Sequence, residues 1–407
     1  MTDTADTASN TETILFGAFD RHNLGDILFP HIVARMLPDR RLRFAGLAER
    51  DLRQYGGHQV EAISTLAGLC HNHPVNVVHV GGELLTCDAW EAAVMLSSAK
   101  HAKSVIDQRG ASRWAPLEWA DDRLGSPTRA PYVIPRARFA HIRGLAFNAV
   151  GGVELDRCER GMREEVIGTL RHASDVTVRD AITLKLLGAE GIAARLLPDP
   201  VVMVAELFGE VIRSRTAIDP VSSIREACPS GYIAVQFSAD FGDDRTLDEI
   251  AGQLDAAAAL HGLGVVFFRA GIAPWHDDLE VFERTRERMK TPSVRILVSP
   301  NVWDICALIA GSSMYCGSSL HGRIVATAFA LPRVNIRHPA RASSHSKQSA
   351  FAATWEDTDM PGEVGVADIK QGIDAARQIQ HARLARVAKT LVLTYRDGFQ
   401  SLSASLA

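Results

Sequence analysis

MYCGSSLHGRIVATAFA, residues Met314–Ala330, is the stretch whose reading decides the fold. Its first four residues read as a short buried strand, and GRIVATAFA carries apolar residues at helical spacing. Between them stand Gly317, Ser318 and Ser319, with His321 and Arg323 just inside the helix. A strand that runs through a small-residue turn into a helix is half of a parallel βαβ unit. In such sheets ligands sit where strand carboxyl ends meet helix N-termini. The turn is therefore read as anion-binding, with His321 in the first helical turn and Arg323 half a turn on. A histidine so placed can act as general acid toward a developing or leaving anion. The plainer alternative is a histidine that satisfies buried backbone groups.

The same alternation spreads outward. Upstream come the strand YIAVQFSA, a helix near LDEIAGQLDAAAALHG, the strand GVVFFRAG, a helix near LEVFERTRERM, the strand VRILV and the helix VWDICALIAG; downstream comes RVNIR. The N-terminal half repeats the pattern with TILFGAF, LGDILFPHIVARML, VNVVHVGG, DAWEAAVMLSSAKHA, RGLAFNAVGG, DVTVRD and ARLLPDP. Between Val202 and Ser230 it loosens into a Pro- and Ser-bearing connector.

At 407 residues the chain is too long for one ordinary core. The expectation is α/β: two Rossmann-like doubly wound domains facing a central cleft, GT-B-like, with a C-terminal helical segment. Residues 1–12 are a disordered tail, 13–205 the N-terminal domain, 206–230 a linker and 231–375 the C-terminal domain. Residues 376–407 form a terminal helix able to pack back on the first domain.

A net charge of -4 and a pI near 6.4 give no electrostatic case for nucleic acid. Cys70, Cys87, Cys158, Cys228, Cys306 and Cys316 contain no C-x-x-C pair, so neither a disulfide framework nor a zinc pattern is present. CHNHP (70–74) lacks a partner pair at zinc spacing and reads as a surface loop, and the segment around His345 as a mobile polar loop. The N-terminus lacks the basic and apolar features of a signal peptide, and no apolar run approaches the roughly 18–20 residues of a membrane span. The expected location is the cytoplasm, with no metal or other cofactor required and a homo-oligomer left open.

The polar residues after each strand are the candidate site. GAFDRHNLGD offers Asn23, Gly25 and Asp26 for a polar ligand, or as helix caps. HVGGELLTCDAW offers Gly81 and Gly82 for close approach, and Asp88 as an acid or an N-cap. Arg179, ending DVTV, suits bidentate recognition of carboxylate or phosphate, or an ion pair with a nearby Asp. In the second half Arg269 ends a strand and His276 follows, beside Asp277 and Asp278. Ser318, Ser319, His321 and Arg323 complete the set.

Placed in order, these turns resemble the polysaccharide pyruvyl transferase family. The resemblance rests on N-x-G-D at Asn23–Asp26, the GG strand end at Gly81 and Gly82, and V-R-D-x-x-T at Val178–Thr183 followed by P-D-P. It continues through Ser318, Ser319, Leu320, His321 and Gly322, with Ala326 and Pro332 beyond. It implies a two-domain GT-B-like fold. The implied activity transfers a pyruvyl unit from phosphoenolpyruvate onto two hydroxyls of a sugar, glycan or glycolipid, as a ketal with release of phosphate. By the same resemblance His321 is the general acid, Arg179 the anion-binding arginine and Asp88 a looser match for the acceptor's base. Ser319 stands where the family carries arginine directly before Leu-His, so Arg323, Arg269 or Arg179 compensates or the donor differs. The alternatives are a GT-B-like glycosyltransferase using a nucleotide sugar and a non-catalytic glycan-binding relative.

Overall fold

The structure, a computed structural model, describes residues 11–108, 116–125, 127–341 and 346–406. Of the expected tail over residues 1–12, residues 1–10 lie outside the described residues, as does the polar loop around His345, whereas Glu12 already belongs to the first strand. The chain divides into two compact units: one takes the residues up to Pro200 together with those from Thr394 on, the other runs Val201–Leu393.

The first unit is built on β1 (Glu12–Phe16), β2 (Leu42–Gly46), β3 (Arg50–Asp51), β4 (Gln59–Ala62), β5 (Val75–Val80), β6 (Ile142–Val150), β7 (Asp175–Val178) and β8 (Arg195–Leu196). Their order is β3-β4-β2-β1-β5-β6-β7-β8, parallel except for the β3–β4 edge pair. The second carries β9 (Tyr232–Gln236), β10 (Gly264–Phe268), β11 (Val294–Leu297), β12 (Met314–Gly317), β13 (Arg333–Ile336) and β14 (Glu363–Val364). It is fully parallel in the order β11-β10-β9-β12-β13-β14. Both are Rossmann-like sheets of the GT-B kind, and β5, β9, β10 and β12 are buried throughout, as strands covered on both faces must be.

The strand orders locate the ligand-binding edge of each sheet. In the first unit the order reverses between β1 and β5, and in the second between β9 and β12. Loops that follow strands on either side of a reversal diverge and leave a crevice over the carboxyl ends. The turns after β1 and β5 hold Asn23 and Gly81–Gly82, and the turn after β12 is Ser318–Ser319.

The segment read as a loose connector is helical, and the terminal helix has a defined place. Residues 206–230 include most of helix Val204–Arg215 and all of helix Val221–Ala227, both grouped with the second unit. Val204 and Ile212 are buried, Phe208 lies 5.0 Å from the Trp303 ring, and Arg215 binds Asp304 at 2.5 Å. The apolar spacing there serves packed helices, and Pro220 falls in the joint between the two. Helix His381–Ala404 ends in the first unit, where Asn148 donates to the Tyr395 hydroxyl at 2.9 Å. Arg40 and Asn76 donate to the Leu406 carbonyl at 2.9 and 3.0 Å.

Candidate functional site

The Ser318–His321 turn is over-determined by hydrogen bonds. Ser318 N–H donates to the Gln236 carbonyl at 3.0 Å, and the Ser318 hydroxyl accepts from Ser238 N–H at 3.3 Å, so the ends of β12 and β9 are tied together. Ser319 is the N-cap of helix Leu320–Ala328, its hydroxyl accepting from Gly322 N–H at 3.2 Å. The Tyr315 hydroxyl accepts from Ser319 N–H at 3.1 Å and donates to the Ser319 carbonyl at 3.0 Å. Asn335 Nδ2 donates to the Gly317 carbonyl at 2.7 Å. Gly322 must be glycine because a Cβ would lie 2.6 Å from the Tyr315 ring. His321 is then the second residue of the helix, 8% exposed, at the end of the sheet where positive backbone N–H groups gather.

Arg323 does not face this turn. Its side chain is fully buried and donates to Glu356 at 3.0 and 2.5 Å, to Asn335 Oδ1 at 3.2 Å and to the Gly362 and Pro361 carbonyls at 3.1 and 2.9 Å. Arg333 joins the same carboxylate at 3.2 Å, and the two cations hold Glu356 below the usual carboxylate range despite its burial. Half a helical turn places Arg323 beneath the helix rather than over the turn, so its charge is spent on structure.

The loop after β10 carries Arg269 and His276. Arg269 Nη2 donates to the Val298 carbonyl at 3.2 Å, and His276 Nδ1 contacts the Pro274 carbonyl at 3.0 Å. Asp277, which the sequence set only beside His276, is the organising residue. It accepts from Ala270 N–H at 2.6 Å and from Gln236 Nε2 at 2.8 Å, while Asp278 caps the helix that follows. Shielding from solvent pushes the Asp277 carboxyl up to about 7, against the pull of those hydrogen bonds and of Arg269.

In the first unit Asn23 caps helix Leu24–Met36, its Oδ1 accepting from Gly25 N–H at 3.2 Å. Gly81 and Gly82 have φ of +60° and +80°, and a Cβ at Gly82 would sit 3.2 Å from Asp26 Oδ1, so the two motifs meet. Arg21 lies 3.7 Å from Asp26 and 5.2 Å from the centre of the Tyr132 ring. Tyr132 donates to Asp20 at 3.0 Å, and Asp20, raised in pKa by burial, accepts from Leu47 and Ala48 N–H. Tyr132 sits too far along the chain from this motif for any spacing rule to connect them.

Arg179 is 2% exposed and bound to Glu83 and, at 3.1 Å, to Asp199, the Asp of P-D-P. The ion-pair alternative describes it better than an arginine open to ligand. Asp180 caps helix Ala181–Ala189. Asp88 caps helix Ala89–Met95 in a capping box with Glu91, accepting Glu91 N–H at 2.7 Å. It also lines a cavity of about 510 Å³ with Trp90, Glu154 and Arg157, so capping leaves it near open space. Among the described residues no group of His, Cys, Asp and Glu is arranged to hold a metal ion, and no helix is long and apolar enough to cross a membrane.

Comparison with known proteins matches residues 23–339 to the model of the polysaccharide pyruvyl transferase family. The chain belongs to that family. The match runs from the Asn23 cap past the His321 turn and includes the Gly81–Gly82 and Ser318–Ser319 turns. Solved structures add the fold. The UDP-GlcNAc 2-epimerase of Methanocaldococcus jannaschii is 11% identical with a TM-score of 0.52, over 94% of this chain and 99% of that one. The UDP-N-acetylglucosamine 2-epimerase of Rickettsia bellii is 12% identical with a TM-score of 0.51, over 95% and 97%. No curated protein matches the chain in sequence.

Proposed function

We propose that this family member is a GT-B-fold transferase that moves a group from a phosphorylated donor, seated on the Ser318–His321 turn, to a hydroxyl of a sugar or glycan. The observation that carries the reading is the position of His321: one residue past a serine cap, on a helix N-terminus, at the switch point of the second sheet. Backbone N–H groups there attract the donor's anion. The imidazole can pass a proton to the group that acquires electron density.

Family membership supports phosphoenolpyruvate as the donor. His321 would protonate the enol methylene carbon as one sugar hydroxyl adds to the neighbouring carbon. A second hydroxyl then displaces phosphate, closing the ketal. Ser319 favours a second reading. Its hydroxyl is engaged in the helix cap and Arg323 is enclosed, so the turn supplies neutral donors where phosphoenolpyruvate calls for charged forks. Neutral donors on a helix N-terminus suit the diphosphate of a nucleotide sugar.

Donor and acceptor panels separate these readings. Phosphoenolpyruvate turnover releases inorganic phosphate; nucleotide-sugar turnover releases a nucleoside diphosphate. His321→Ala is expected to slow whichever release occurs by roughly 10²–10⁴-fold. Release that is indifferent to His321→Ala removes the turn from the mechanism, and no release of either kind leaves a glycan-binding relative. Ser319→Arg tightens phosphoenolpyruvate binding if that is the donor and depresses turnover if it is not.

A further inference from the structure

The loop between β10 and helix Leu279–Arg288 presents Trp275, a large aromatic side chain that is 45% exposed. Its backbone lies in the left-handed region, at φ +65°, which β-carbon crowding makes costly for any residue but glycine. Such a conformation persists only where surrounding bonds impose it, and it concentrates at functional sites. Here those bonds are plain. His276 N–H donates to the Ala273 carbonyl and Asp277 N–H to the Gly271 carbonyl, each at 3.1 Å. The Asp277 carboxylate takes Ala270 N–H and Gln236 Nε2 from either side. At Gly271 an added Cβ would come within 2.5 Å of the His276 ring, so the loop closes tightly on itself. The tryptophan is thus held out on a rigid loop rather than left over on a slack one.

That loop is bonded to the His321 turn. The His276 carbonyl accepts Ala239 N–H at 3.0 Å, and the preceding residue, Ser238, donates its N–H to the Ser318 hydroxyl. Two adjacent residues therefore join the tryptophan loop to the turn, both on the carboxyl edge of one sheet.

We propose that Trp275 is a stacking platform for the pyranose face of a glycan ligand, beside the Ser318–His321 turn. The inference rests on the reading of this chain as glycan-directed. An indole face packs against the C–H face of a sugar ring while neighbouring carboxylates take its hydroxyls. Asp278, next in the chain to Asp277, and Asp240, two residues after Ser238, are exposed carboxylates, whereas Asp277 is engaged by Ala270 and Gln236 and Arg269 donates to the Val298 carbonyl. Acidic company suits hydroxyls and opposes the diphosphate that a stacked nucleobase would bring with it.

The test is binding, with no donor present and no turnover needed. Wild-type protein, Trp275→Ala, Trp275→Phe and Trp275→Gly are applied to an array of unmodified oligosaccharides. The tightest hit is then titrated by calorimetry, with UDP titrated in parallel. The expected result is at least a tenfold loss of affinity in Trp275→Ala and Trp275→Gly, with Trp275→Phe retaining most of it. Trp275→Gly, which removes the left-handed strain, should melt no lower than wild type, so its loss of binding is not loss of fold. Equal binding by wild type and Trp275→Ala overturns the platform while the glycan reading stands. A wild-type protein that binds no glycan overturns both. UDP binding that depends on Trp275, with sugars indifferent to it, reassigns the platform to a nucleobase.

Discussion

Replacing Asp277 by Asn should stabilise the protein relative to wild type by an amount that grows as pH rises from about 4 to about 7 and then stays constant. The carboxyl is held at about 7 in the fold, where an unshielded aspartate titrates near 3.8. Between those values the folded chain binds a proton that the unfolded chain has released, so wild-type stability falls as pH rises from about 4 to about 7 and is flat beyond. At about 1.36 kcal/mol per pH unit the full span is worth about 4 kcal/mol, of which about 3 kcal/mol falls between pH 5 and pH 8. Asparagine carries no charge to desolvate. Its Oδ1 can keep the Ala270 N–H, and its Nδ2 can donate to Gln236 Oε1, a buried atom with no hydrogen-bond partner, once that amide turns over. The assay is the melting temperature of wild type and Asp277→Asn between pH 5 and pH 8. The gap between the two curves should widen by roughly 6–12 °C over that range, for a unit of nearly 200 residues. Parallel curves would show that Asp277 is ionised throughout and refute the account of the loop.

Two further substitutions test the assignments around the candidate site. Glu356→Gln leaves the buried guanidinium groups of Arg323 and Arg333 without their counter-charge, and should cost about 3–5 kcal/mol of unfolding free energy in denaturant titration. Asp88→Asn preserves the helix cap because asparagine caps as well as aspartate, so its melting temperature should stay within a degree or two of wild type. Activity lost in Asp88→Asn would then report proton acceptance, and activity retained would leave Asp88 a cap.

The elements legible in the sequence were those whose signal is local. The alternation of apolar runs with helical periodicity depends on neighbours two to four residues apart, and it led to two parallel sheets. Glycine pairs at strand ends and the Ser-Ser-x-His turn were visible for the same reason. Arg179 and Arg323 show where that reading ends. Each stands at the right place in a motif, yet the carboxylates that occupy them, Asp199 with Glu83 and Glu356, are brought in by other turns and strands. A charge is read from the sequence; its partner is not.

By itself, then, the sequence determined the strand–turn–helix units, the small residues that let backbones approach, and the placing of His321 at the start of a helix. Tertiary structure decided what surrounds them. Strand order, set by long-range pairing, made the turn after β12 a switch point. The return of Gln236 and Ser238 to that turn tied it to the loop that holds Asp277 and displays Trp275. The physical reason is that periodicity records which face of an element meets the core, whereas desolvation, ion pairing and strain depend on groups that only the folded chain brings within a few ångströms.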